Sequence, residues 1–138
     1  MKRDIVISLF DHSTSWSLFY EKAGYTVIRV DLKAGIDILK WDYKAIPRDR
    51  VAGILAAPPC TEYTVSCNRL WKQKDRDGRT KAANALISKT LEIVDYFWHP
   101  GLFWSMENPG GRLTRMLAGT YLPGVPKLKL PTRLRSIV

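Results

Sequence analysis

The sequence predicts an α/β fold, a mostly parallel sheet with flanking helices, and two observations carry that prediction. Short apolar runs of strand length recur, at Ile5-Val6-Ile7, at Val51-Ala52-Gly53-Ile54-Leu55-Ala56-Ala57 and at Gly101-Leu102-Phe103-Trp104-Ser105-Met106. Such runs suit strands covered on both faces better than surface strands, which would alternate. Between them lie stretches with helical patterning, and strands alternating with helices build β-α-β units.

In chain order, residues 4–10 read as the first strand. Residues 15–23 read as a helix with Ser13 or Thr14 as N-cap, Leu18, Phe19 and Lys22 at helical spacing, and Gly24 as its stop. Residues 25–31 follow as a β-branched strand ending in Asp31, which completes a β-α-β unit of about thirty residues. A short strand is expected at 36–39, followed by a connection carrying Trp41, Tyr43 and Pro47. The next strand occupies 51–57. Residues 81–98 are the clearest helix, with Ala82, Ala83, Ala85, Leu86, Thr90, Leu91, Val94, Tyr96 and Phe97 on an apolar face that would pack on the sheet. His99-Pro100-Gly101 closes it, with His99 structural or exposed, and the last strand ends at Glu107. A short helix is expected at 112–117, opened by Gly110-Gly111.

Composition bounds the function. At 138 residues the chain predicts a single domain, with a basic, proline-punctuated tail over about 121–138. No apolar run reaches the eighteen or so residues of a membrane helix, and Met1-Lys2-Arg3-Asp4 leads into a strand rather than a secretory signal. Two cysteines make no disulfide framework and two histidines no metal-binding spacing, so no metal site is expected and a reduced, cytoplasmic setting is the simple reading. The net charge of +9 raises the prior for a polyanionic partner, although solubility accounts for part of it.

The chemistry-bearing residues cluster where the strands at 51–57 and 101–106 end. Pro58 and Pro59 stop the first of these, since neither donates a ladder hydrogen bond. Cys60 follows at the mouth of a loop with Thr61, Thr64 and Ser66. Ligands of α/β sheets bind beyond the carboxyl ends of strands, which is where a nucleophilic thiol would stand. Taken alone, a free cysteine more often packs than reacts. Glu107-Asn108-Pro109-Gly110-Gly111 at the end of the other strand shifts that balance, because a thiol and a carboxylate at two strand ends can converge on one small ring.

Pro58-Pro59-Cys60 with Ser66, followed by Glu107-Asn108-Pro109, resembles the DNA cytosine-5 methyltransferase family, most nearly its small phage-encoded members. The correspondence runs from about Asp4 to about Leu117. The resemblance implies a Rossmann-like fold that binds S-adenosylmethionine, in a chain shortened at its C-terminus relative to full-length members. It implies Cys60 as the covalent catalyst at C6 of cytosine and Glu107 as the carboxyl group that holds the base. Duplex DNA would present that base only after it swings out of the stack. For the cofactor the resemblance implies Phe10, Asp11 and His12 in the first turn, Asp31 at the ribose hydroxyls, Asp37 at the adenine amine, and Pro58. Asp31 and Asp37 read equally well as solvated acids. The family's first turn is rich in glycine; here Phe10-Asp11-His12-Ser13-Thr14-Ser15 has none, so Asp11 or His12 would have to make the bend.

The substrate contacts expected are Ser66, Asn108, Arg69, Lys72 and Arg112. Arg69, Lys72, Lys74, Arg76, Arg79 and Lys81 form a basic stretch read as a long loop with a turn at Asp77-Gly78. Its cations could meet phosphates, with Trp71 as a stacking surface, or could simply be solvated. After Glu107 the chain contains no acid, which suits a nucleic-acid clamp or a disordered tail.

Two functions from different classes follow. One is methylation of DNA cytosine at C5, as in restriction-modification. The other is an inactive methyltransferase-like phage protein that binds DNA or inhibits host defence. Modification of RNA or free nucleotides is a weaker third. The partners expected are DNA, a host protein or a second copy of the chain, with no membrane, in the cytoplasm of a bacterial host.

Overall fold

The structure, a computed structural model, describes residues 2–11, 14–60, 63, 69–107, 113, 117 and 134. They form two compact units. One comprises Met1–Pro58 with Tyr96–Glu107, and the other comprises Pro59–Asp95 with the described residues after Glu107.

The first unit is a four-stranded, all-parallel sheet in the order β2-β1-β3-β4, built from β1 (Ile5–Leu9), β2 (Thr26–Val30), β3 (Val51–Ala56) and β4 (Phe103–Met106). The α/β prediction holds at this level. β1 is buried along its whole length and β3 nearly so, as expected of central parallel strands. β4 departs from expectation. It pairs only with β3 among the described residues, and its side chains are half-buried or exposed, so its apolar run belongs to an edge rather than to a covered strand.

α1 (Ser15–Lys22) crosses between β1 and β2. Gly24 ends it at φ 98°, the left-handed conformation that glycine adopts without cost. The inward face differs from the one expected: Ser17 is buried while Leu18 and Phe19 point out, Phe19 at 71% exposure. Ser17 turns inward because a buried carboxylate needs its hydroxyl, as described below. No strand forms at 36–39. Asp37 Oδ1 accepts from Leu39 N–H at 2.9 Å, and this local turn competes with a ladder.

Two side-chain arrangements tie this unit together. His99 spans 48 residues, with Gly101 N–H donating to Nδ1 at 3.1 Å and Nε2 left to donate to the Val51 carbonyl at 3.1 Å. It is therefore structural. Phe103 lies across Gly53, its register partner, and stacks on Tyr20 of α1 at 5.5 Å between ring centroids.

α2 (Trp71–Asp77) and α3 (Arg79–Phe97) meet at Gly78, with φ 91°; both lie in the second unit except the last two residues of α3, Tyr96 and Phe97, which belong to the first. The expected long basic loop is thus largely a helix, with Lys74 buried in it. The turn at Asp77-Gly78 is where the sequence placed it. On α3 the buried positions are Thr80, Ala83, Asn84, Ile87, Thr90, Leu91, Ile93, Val94 and Phe97, which recur mostly at spacings of three and four. Ala82 and Ala85 are exposed, so the buried face is rotated from the expected one toward residues whose polar groups find partners. Tyr63 is fully buried, and its hydroxyl donates to Asn84 Oδ1 at 2.7 Å. Thr90 Oγ1 donates to the Leu86 carbonyl at 2.9 Å. Of the helix expected at 112–117, Leu113 and Leu117 are described, and both are helical and buried. Among the described residues no helix is long and apolar enough to cross a membrane.

Two predictions follow from this packing. A Cβ on Gly53 would overlap the Phe103 ring, so Gly53→Ala should cost about 1–3 kcal/mol in urea unfolding. Adding Phe103→Ala should cost less in that background than in the native one, since the overlap disappears. At the sheet's amino edge, Arg50 grips both oxygens of Asp4, at 3.1 and 2.9 Å, and this hydrogen bonding holds the Asp4 carboxyl below its ordinary 3.8. A depressed carboxyl stabilises the fold above its unfolded value and stops doing so as the pH falls through the folded one. Arg50→Gln should therefore move the Asp4 midpoint, read by NMR, up toward 3.8 and flatten the acid limb of the stability curve below that pH.

Candidate functional site

The strand order β2-β1-β3-β4 reverses direction between β1 and β3. In open parallel sheets the crevice outside the carboxyl ends at such a reversal is where ligands bind. The ladder runs on past the strand ends there. Phe10 N–H donates to the Val30 carbonyl at 2.8 Å, Ala57 N–H to Leu9 at 3.1 Å, and Glu107 N–H to Ala56 at 2.8 Å. These bonds draw Phe10, Ala57 and Glu107 into one row along the carboxyl edge, with neighbouring strands about 4.8 Å apart. Asp31 directly follows β2 at the same edge.

The first turn is built around Asp11. Its carboxylate is buried and its Oδ2 accepts from Ser8 Oγ at 3.0 Å and from Ser17 Oγ. Arg29 of β2 stands 3.7 Å from the same oxygen, donates to Ser17 Oγ at 3.0 Å and pairs with Glu21 at 2.8 Å. A carboxylate taken out of water needs this much compensation. The bend itself falls on Phe10, at φ 61°, and on Thr14, at φ 62°. Asp11 makes no bend, and His12 lies outside the described residues. A β-branched residue in the left-handed region costs on the order of 1–2 kcal/mol, so the surrounding hydrogen bonds have to impose it. Thr14 is the N-cap residue, but its side chain makes no capping bond.

The other expected site residues divide into three groups. Asp31 Oδ1 accepts from Lys33 N–H at 2.7 Å, opening a 3₁₀ turn over Leu32–Ala34, and Asp37 makes the turn already noted. Each thus spends one oxygen on its own backbone and stays half-exposed. Pro58 is buried and Glu107 exposed, both in the first unit. Cys60, Arg69 and Lys72 belong to the second unit. Cys60 is a free, half-buried cysteine whose carbonyl accepts from Tyr63 N–H at 2.9 Å. Arg69 and Lys72 are exposed, Lys72 on α2. Ser66, Asn108 and Arg112 lie outside the described residues.

Three contributors escape a reading by motif. Ser8 is a hydroxyl inside an apolar strand, which on its own signals a buried partner. Arg29 breaks the apolar β2 in the same way. Tyr63 anchors the segment after Cys60 to α3.

Comparison of the chain with family models, with curated proteins and with solved structures found no match.

Replacing Asp11 by Ala would take from the hydroxyls of Ser8 and Ser17 the carboxylate they share and leave Arg29 one partner fewer. It should cost about 1–3 kcal/mol in thermal or chemical unfolding. Glu21→Ala, which touches only the exposed end of the network, should cost under about 1 kcal/mol.

Proposed function

We propose that this chain carries the chemistry of a DNA cytosine C5 methyltransferase. The observation that supports it most is the pairing of β3 with β4. Ala56 and Met106 are register partners, and Glu107 N–H is bonded to the Ala56 carbonyl. The segment leading to Cys60 and the segment carrying Glu107 therefore leave from neighbouring strand ends, Cys60 four residues past Ala56.

In this reading the Cys60 thiolate forms a bond to C6 of cytosine, and the ring becomes an enamine-like nucleophile at C5. Glu107 hydrogen-bonds N3 and the exocyclic amine, which holds the base and stabilises the charge gathered during addition. S-adenosylmethionine, when bound, supplies an electrophilic methyl group. A base then takes the C5 proton, the C5–C6 double bond re-forms, and the thiolate leaves with its electron pair. The carboxyl edge at the β1/β3 reversal and the half-exposed Asp31 fit such a cofactor, with Asp31 at the ribose hydroxyls and Asp37 at the adenine amine. Asp11 does not face it with a free carboxylate, since its Oδ2 is held by Ser8 and Ser17.

That last observation favours the second reading as well. A glycine-free first turn with Phe10 and Thr14 at positive φ suits a chain that keeps the fold and binds DNA, or inhibits host defence, without turnover. Two measurements separate the readings. Titration with labelled S-adenosylmethionine should saturate for the enzyme, whereas no binding at millimolar concentration would eliminate it. Duplex DNA containing 5-fluorocytosine, incubated with the cofactor, should give a covalent adduct that Cys60→Ser abolishes. DNA binding without an adduct would leave the non-catalytic reading.

A further inference from the structure

We infer that the amino edge of the first unit's sheet is a contact surface for the phosphate backbone of nucleic acid. This edge lies at the opposite end of the strands from Glu107 and does not depend on the chemistry proposed above. It carries Arg3, just before β1, and Lys44 and Arg48, in the 3₁₀ turns that lead into β3. All three are exposed, and none forms an ion pair among the described residues.

What distinguishes them from ordinary surface cations is that each is held. Arg3 Nη1 donates to the Arg48 carbonyl at 3.2 Å and reaches the Val51 carbonyl at 3.5 Å. The Arg48 guanidinium lies over the Tyr96 ring, 4.5 Å from its centroid. Lys44 Nζ stands 5.9 Å from the centroids of both Tyr43 and Tyr96. Stacking uses the face of a guanidinium and leaves its edge N–H groups free to donate, so Arg48 is ordered in advance without losing its phosphate donors. The entropy of fixing these long side chains is spent during folding rather than at binding.

The acids nearby do not cancel this charge. Across residues 2–4 and 42–50 there are five cations and three acids. Asp4 is taken by Arg50, the field of Asp49 acts on Arg50 as well, and with the exposed Asp42 counted the two segments still carry an excess of two cations. Among the described residues the exposed large apolar ones, Leu18, Phe19, Leu32, Leu39 and Leu70, all lie outside residues 2–4 and 42–50, so these segments carry no large exposed apolar side chain of the kind that membrane insertion uses. A regular polyanion is the partner it fits.

The test is the salt dependence of binding to a short duplex of arbitrary sequence. Each phosphate contact contributes about 0.9 to the slope of log K against log salt. The triple variant Arg3→Gln, Lys44→Gln, Arg48→Gln should lower that slope by about 2 to 3. A control of equal charge, Lys22→Gln, Lys33→Gln, Lys40→Gln, should lower it by less than about 1. If the triple variant fails to fold by circular dichroism, Lys44→Gln and Arg48→Gln singly should each lower the slope by about 1. Equal losses in variant and control, no duplex binding by the native chain, or binding to phosphatidylserine vesicles without duplex binding would each overturn the inference. Cys60→Ser should leave the slope unchanged, so loss of the adduct and loss of this surface are separate results.

Discussion

Three main-chain hydrogen bonds beyond the ends of the strands organise the carboxyl edge of this protein. Phe10 to Val30, Ala57 to Leu9 and Glu107 to Ala56 carry the parallel ladder one residue past each strand end. Each is worth only about 0.5–1.5 kcal/mol net. Their consequence is positional. A parallel ladder allows one register where both faces of a central strand are buried, because a slip of one residue would turn β1 inside out. β1 and β3 are buried in that way, so the residues that follow them inherit their place from the core. The edge is therefore rigid at its base even though Glu107 itself faces water.

The first turn illustrates how such an edge can be made without glycine. Two non-glycine residues take positive φ, and the buried Asp11 with its two serines and Arg29 supplies the hydrogen bonds that keep them there. Glycine would have given the same bend through conformational freedom. Here it comes from a polar network, whose removal leaves uncompensated buried groups, so the turn is held more tightly but admits less variation. The cost is that Asp11 has lost much of its capacity to meet a ligand directly.

Most strands and α1 were legible because apolar runs and a glycine stop are local signals: the boundaries of β1, α1, β2 and β3 fall within a residue of the expected ones, while β4 starts two residues late and the strand expected at 36–39 is a turn. The failures have physical causes that local patterns do not contain. α2 is written Trp71-Lys72-Gln73-Lys74-Asp75-Arg76-Asp77, with no apolar period, and a lysine buried there gives no sign of it in the sequence. On α3, alanines drew the expected face toward Ala82 and Ala85, whereas the buried face includes Asn84, whose partner Tyr63 lies 21 residues away. β4 looked like a covered strand because hydrophobicity reports what a strand could bury, not what lies beside it. Asp11 and Arg29 were visible as residues but not as a pair, since only the parallel pairing of β1 with β2 brings them together.

The two edges of the sheet have opposite electrostatic characters, and that contrast constrains any partner. Among the described residues, Asp31 and Glu107 put carboxylates at the carboxyl edge of the first unit, while Arg3, Lys44 and Arg48 put cations that form no ion pair at the amino edge. Phosphates would be attracted to the second edge, at separations within the Debye length of about 8 Å at physiological salt. An uncharged base and a ribose can still approach carboxylates, because they bring hydrogen-bond donors rather than charge. The strands between them are four to six residues long, about 13–20 Å at about 3.3 Å per residue, so one nucleotide cannot bridge the two edges, and a phosphate backbone on the amino edge is a contact separate from any base held at the carboxyl edge.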